Sequence, residues 1–189
     1  MSAQGLPERI FLVGFMGAGK TTVGRALAQR AGYGFVDTDA EVEVRAGRSI
    51  EELFHAHGEG YFREREWEAL LAVAARTRLV VATGGGLFLA EAHRDFIRRH
   101  GVSVWLDVPL DAIWERCLEL PGRPLFTTRA ELAELLAARR DRYALADHHL
   151  AAGGRDAEAV AVEIVARLGG AASGESPTDA PHPRGETRG

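Results

Sequence analysis

Residues 14–21 read Gly-Phe-Met-Gly-Ala-Gly-Lys-Thr, the spacing Gly-x-x-x-x-Gly-Lys-Thr, and each part of it serves a polyphosphate. Glycines let backbone N–H groups turn toward an anion with no Cβ in the way. A helix that begins near Lys20 points the positive end of its dipole at the same place. Gly17, Ala18, Gly19, Lys20, Thr21 and Thr22 are therefore the expected ATP-binding residues, with Lys20 reaching the β- and γ-phosphates and the Thr21 hydroxyl on Mg²⁺. Lys20 is also the only lysine among 23 basic residues. Every other cation is an arginine, so lysine stands where a compact ammonium must enter a tight loop. The plainer alternative is an ordinary glycine-rich turn, and the strand pattern before it and helical pattern after it weigh against that.

Other residues carry chemistry only in company. Asp37 and Asp39 flank Thr38, and an extended segment would put both carboxylates on one side. Next to a phosphate loop, two acids suit two jobs. Alone, they would read as a solvated turn with Asp39 capping a helix. Gly84, Gly85 and Gly86 are more glycine than a turn requires, and they would bring bare backbone against a ligand. Arg63 and Arg65 lie in Phe-Arg-Glu-Arg-Glu, at spacings that allow ion pairs along one helix face with Glu59, Glu66 and their neighbours. Arg65 keeps that bland reading. Arg123, in Pro-Gly-Arg-Pro, is held semi-rigidly between prolines, which suits a lid that carries a charge over a transferring group.

The elements that must position these residues alternate. Strands are expected at 10–13, 35–36, 79–82, 102–106 and 149–151, and helices at 20–31, 40–46, 49–55, 59–76, 90–100, 109–119, 130–146 and 156–168. Ser49 and Glu52 form a capping box, and Phe62, Trp67, Leu70, Leu71 and Val73 are available to the core. Such alternation implies a parallel sheet covered on both faces, with ligands beyond the carboxyl ends of its strands. The phosphate loop, Asp37/Asp39 and Gly84–Gly86 all fall at strand ends, so they converge on one crevice. Residues 169–189 hold no large apolar side chain and are expected to be a disordered tail after a single domain spanning 1–168.

Composition bounds the rest. A net charge of −4 argues against nucleic acid as a partner. One cysteine, Cys117, rules out an intramolecular disulfide and fits a reducing compartment. No apolar run reaches the roughly 18 residues of a membrane span, and no His/Cys set has zinc-ligand spacing. A cytoplasmic protein without membrane contact is expected.

Gly-Phe-Met-Gly-Ala-Gly-Lys-Thr-Thr-Val-Gly (14–24), Phe-Val-Asp-Thr-Asp (35–39), Gly-Arg-Ser-Ile (47–50), Phe-Arg (62–63), Ala-Thr-Gly-Gly-Gly (82–86) and Arg-Pro-Leu (123–125) together resemble shikimate kinase, in order, over about residues 8–168. The resemblance implies a P-loop α/β fold like that of nucleoside monophosphate kinases: five parallel strands in order 2-3-1-4-5, flanked by helices, with a mobile lid at about 119–130. It implies transfer of the ATP γ-phosphoryl group to the 3-hydroxyl of shikimate, with Mg²⁺, by a monomer. It gives Lys20, Asp39 and Arg123 catalytic roles and puts the metal on Thr21 and, through water, Asp37. Asp39, Arg63, Gly84, Gly85, Gly86 and Arg139 then bind shikimate, and Arg116, Arg123 and Arg155 join the ATP contacts. The family's Arg-x-Pro-Leu-Tyr is replaced by Arg139-Arg-Asp-Arg-Tyr143, which leaves Arg140 and Arg142 as competitors for the carboxylate. Gluconate kinase, with the same loop, and a non-catalytic nucleotide sensor are the alternatives.

Overall fold

Ile10 to Val13 are wholly buried, because strand β1 (Arg9–Val13) lies at the centre of a parallel sheet covered on both faces. β1 pairs with β3 (Leu79–Ala82) on one side and β4 (Val102–Asp107) on the other. β2 (Gly34–Asp37) lies outside β3, and β5 (His148–Ala151) outside β4, giving the order β2-β3-β1-β4-β5. The computed structural model describes residues 5–118 and 128–171. Arg123, the 119–127 part of the expected lid and residues 172–189 of the expected tail lie outside them.

Register does the positioning. Leu12 and Asp37 both sit level with Ala82, so the chain leaves β1, β2 and β3 at one edge and in one place. Helices α1 (Lys20–Ala31), α2 (Thr38–Ala46) and α3 (Ile50–Val73) follow the first two exits. After β3 come the three glycines, a 3₁₀ turn (Leu87–Leu89) and α4 (Glu91–His100). Helix α5 (Leu110–Leu118) follows β4, α6 (Arg129–Tyr143) precedes β5, and α7 (Ala157–Ala171) closes the fold against α1. Val42, Leu53, Phe62 and Ala69 form a second small core where α2 meets α3, apart from the main one.

Several expectations are corrected in detail. Helix α2 starts at Thr38, two residues earlier than expected, because Asp37 caps it by accepting from the backbone N–H groups of Asp39 and Ala40. Asp39 is therefore helical, and the two acids do not share an extended segment. The expected segments 49–55 and 59–76 are the two parts of α3, which breaks between them at Gly58, where φ is 77° and ψ 177°, and which ends at Val73 and not at 76. The Ser49–Glu52 capping box is present. Leu71 points outward at 43% exposure, while Phe62, Leu70 and Val73 are buried. Helix α7 continues past 168 to Ala171.

Candidate active site

The phosphate loop connects β1 to α1 and is open at its anion-binding end. Gly19 caps α1 in the left-handed conformation, and among the described residues no side-chain cap closes the first turn of the helix. Lys20 folds back into the loop, where its ammonium donates to the carbonyls of Gly14 (2.9 Å) and Phe15 (2.7 Å). Burial pushes its pKa from 10.5 down to about 8, against the opposing pull of Asp39 and Asp37. Arg116 donates to the Gly17 carbonyl at 3.0 Å. Beside it, a cavity of about 260 Å³ is lined by Ala18, Gly19, Thr22, Arg116, Ala152 and Arg155. Arg155 stands on that wall paired to Glu163 at 2.6 Å.

Thr21 and Asp37 meet at the mouth of the loop, the Thr21 hydroxyl donating to Asp37 Oδ2 at 2.6 Å. A hydroxyl and a carboxylate are hard oxygen donors, and both are close to the expected phosphates. That donor set fits a Mg²⁺ ion that keeps most of its waters.

Asp39 faces the other way, into the protein. Its Oδ1 is buried without a hydrogen-bond partner, and so is Oε1 of Glu66 on α3. A Cβ on Gly84 would stand 2.4 Å from each of these oxygens, so the two carboxyls face one another across that glycine. Burial, then Glu66 and Asp37, raise the Asp39 pKa from 3.8 to about 7, and Lys20 pulls against them. Burial also raises Glu66, against the hydrogen bond from Arg63. Glu66 is a residue that sequence reasoning missed as anything beyond an ion-pair partner.

Arg63 makes both ion pairs that its spacing allows, with Glu59 at 2.9 Å and Glu66 at 2.8 Å. Its guanidinium also presses on the glycine loop: a Cβ on Gly86 would lie 2.5 Å from Arg63 Nη1. The Gly84 N–H is held by the buried Thr38 hydroxyl at 2.9 Å, so the start of α2 fixes the start of this loop. Two of the three glycines thus lie where any side chain would collide with an acid or with a cation. Arg65, as expected, pairs on the helix face, with Glu68 at 2.9 Å.

Helix α6 separates its arginines. Arg140 is taken up by Asp107, which it holds with two hydrogen bonds (3.2 and 2.7 Å) while lying over the Trp105 ring. Arg142 is exposed. Arg139 lies 5.4 Å over the ring of Phe15, in the phosphate loop, and its charge acts on the buried Tyr143. Of the three competitors, Arg139 is the one that the helix directs to the crevice.

A family model described as shikimate kinase matches residues 16–169. A curated shikimate kinase from Ruegeria pomeroyi is 48% identical over 148 residues, which cover 77% of this chain and 76% of that one. A solved structure of shikimate kinase from Acinetobacter baumannii, in complex with shikimate, superposes with a TM-score of 0.81 at 36% identity, over 85% of this chain and 92% of that one. A gluconokinase from Sinorhizobium meliloti superposes at 0.55 with 22% identity, over 88% of this chain and 95% of that one. That likeness is one of fold.

Proposed function

The chain belongs to the shikimate kinase family, ATP-dependent kinases of a shikimate hydroxyl, and from that premise we propose how its residues divide the reaction. The γ-phosphoryl group of ATP passes to the 3-hydroxyl of shikimate and leaves ADP, a step toward chorismate and the aromatic amino acids. Such a transfer needs alignment and charge stabilisation more than covalent chemistry. The triphosphate lies on Gly17 to Thr22, and Lys20 leaves the Gly14 and Phe15 carbonyls for the β- and γ-phosphates. Thr21 and Asp37 are the residues that would hold Mg²⁺, whose chemistry is to neutralise phosphate charge. Arg116 and Arg155 flank the cavity for the nucleoside.

At the acceptor end, Arg63, Arg139 and the Gly84–Gly86 backbone orient the acid, because guanidinium matches a carboxylate with two parallel hydrogen bonds. Asp39 accepts the proton of the attacking 3-hydroxyl. Arg123, by the family resemblance, arrives with a closing lid at 119–130 and helps to exclude water, which would otherwise take the phosphoryl group. The protein works as a cytoplasmic monomer. Among the described residues no helix is long and apolar enough to cross a membrane.

The observation that carries this reading is the packing of Gly84 and Gly86 against Asp39, Glu66 and Arg63, which supports an acceptor site beside the phosphate loop. It is tested by coupled ADP release with MgATP and shikimate, beside gluconate and a control without acceptor. Shikimate-dependent turnover is expected. Turnover with gluconate alone would keep the ATP site and discard the acceptor contacts, and ATP binding without turnover would make the protein a sensor.

A further inference from the structure

Tyr143 takes no part in the scheme above, yet it is wholly buried at the end of α6 and its hydroxyl points at the acceptor loop. The hydroxyl donates to the Gly85 carbonyl at 2.5 Å, and Arg139 lies one helical turn earlier, with its charge acting on that hydroxyl. The hydroxyl therefore ties the middle of the triple glycine to the helix that carries Arg139. In a trans peptide the carbonyl and the following N–H point opposite ways, so fixing the Gly85 carbonyl also fixes the direction of the Gly86 N–H. An arginine and a loop grip one acid together only when loop and helix are held in one relative position, and here the tie is Tyr143.

We propose that Tyr143 is a positioning residue for the acceptor carboxylate: its hydroxyl ties the Gly85–Gly86 peptide to the helix that carries Arg139, so that loop and arginine meet an acid in one relative arrangement. This rests on the reading of Arg139 and Gly84–Gly86 as shikimate contacts. A purely structural tyrosine would be kept for its ring, which packs 6.1 Å from the Trp105 ring, centroid to centroid. Tyr143→Phe keeps that ring and removes only the hydroxyl, so it separates the two roles.

The experiment is steady-state kinetics of Tyr143→Phe against the parent with shikimate and ATP varied in turn, and with the methyl ester of shikimate as a neutral acceptor. The expected result is a KM for shikimate raised about tenfold, the scale of losing one buried hydrogen bond. The KM for ATP and kcat stay within about twofold, and the methyl ester is used equally by both proteins. An unchanged KM for shikimate would overturn the proposal. So would a parallel fall in kcat and in the use of both acceptors, which marks a general loosening. A parent protein that releases no ADP with shikimate, while Tyr143→Phe keeps the parent's melting temperature, would instead overturn the acceptor reading beneath it.

Discussion

Asp39 and Lys20 are a buried acid and a buried base with opposed shifts, and that opposition makes the site sensitive to pH near neutrality. In the proposed reaction Asp39 must be ionised to take a proton, and burial pushes its pKa up to about 7. The rate kcat/KM for shikimate should therefore rise with pH through about 7. Glu66→Gln removes the like charge that faces Asp39 across Gly84. The acidic limb of the profile should then move down part of the way toward 3.8, because burial, the larger cause, stays. A limb that does not move would show that the two carboxyls are uncoupled. The same shift has a sign for stability. Folded Asp39 keeps its proton up to about 7 while the unfolded chain releases it at 3.8, so this group's contribution is full below 3.8 and is lost as pH rises through 7. Lys20 carries a separate prediction. Lys20→Met should lower kcat by about 100-fold or more, the scale of removing one preorganised charge from a transition state. Its circular dichroism and melting temperature should stay near those of the parent, since Met removes a desolvated charge together with its two hydrogen bonds to loop carbonyls. Near-normal turnover would sink the ATP-site assignment.

The break in α3 belongs to the scale of elements. Gly58 combines φ 77° with ψ 177°, a region that is almost glycine's alone, and a Cβ there would meet nothing within 4 Å. Gly58→Ala is thus a test of backbone conformation without steric interference. It should cost about 1–3 kcal/mol in urea unfolding. No loss would mean that the two halves of α3 can align as one straight helix. The break itself was legible, since one helical pattern ends at 55 and another begins at Glu59. So were the strands, because parallel strands buried on both faces read as plain apolar runs. The start of α2 was not. Asp37 looked like the partner of Asp39 at strand spacing, and only its two hydrogen bonds to the N–H groups of Asp39 and Ala40 reveal a cap. The family resemblance chose Arg139 and left Arg140 and Arg142 as competitors. What sets Arg140 apart from Arg139 in the structure is Asp107, at the end of β4 and 33 residues from Arg140 in sequence, which takes Arg140 up.

At the scale of the whole molecule, the site is assembled by the sheet edge, and no single segment contains it. Glu66 shows why part of it escaped the sequence. Three residues after Arg63 it has the spacing of a surface ion pair, and it is buried only because β3 delivers Gly84 against it. Tyr143 is the same case from the other end of the chain, since its partner Gly85 lies 58 residues away. What such a site needs is an intact sheet with its covering helices, and the last of those is α7. Val160, Ala161, Ile164 and Leu168 bury its inner face, and Leu168 is the last large apolar residue of the chain. Residues 172–189 add only small, polar, proline and charged residues, which offer no apolar area to bury. Removing 172–189 should therefore leave the melting temperature within about 2 °C, since losing no core contact costs well under 1 kcal/mol. It should also leave kcat/KM for both substrates unchanged. A chain cut before Ile164 should fail to fold, because it strips α1 of the helix that covers it. If the shorter deletion alone cost activity at unchanged stability, the tail would be part of the catalytic cycle, and the domain would have to be redrawn to include it.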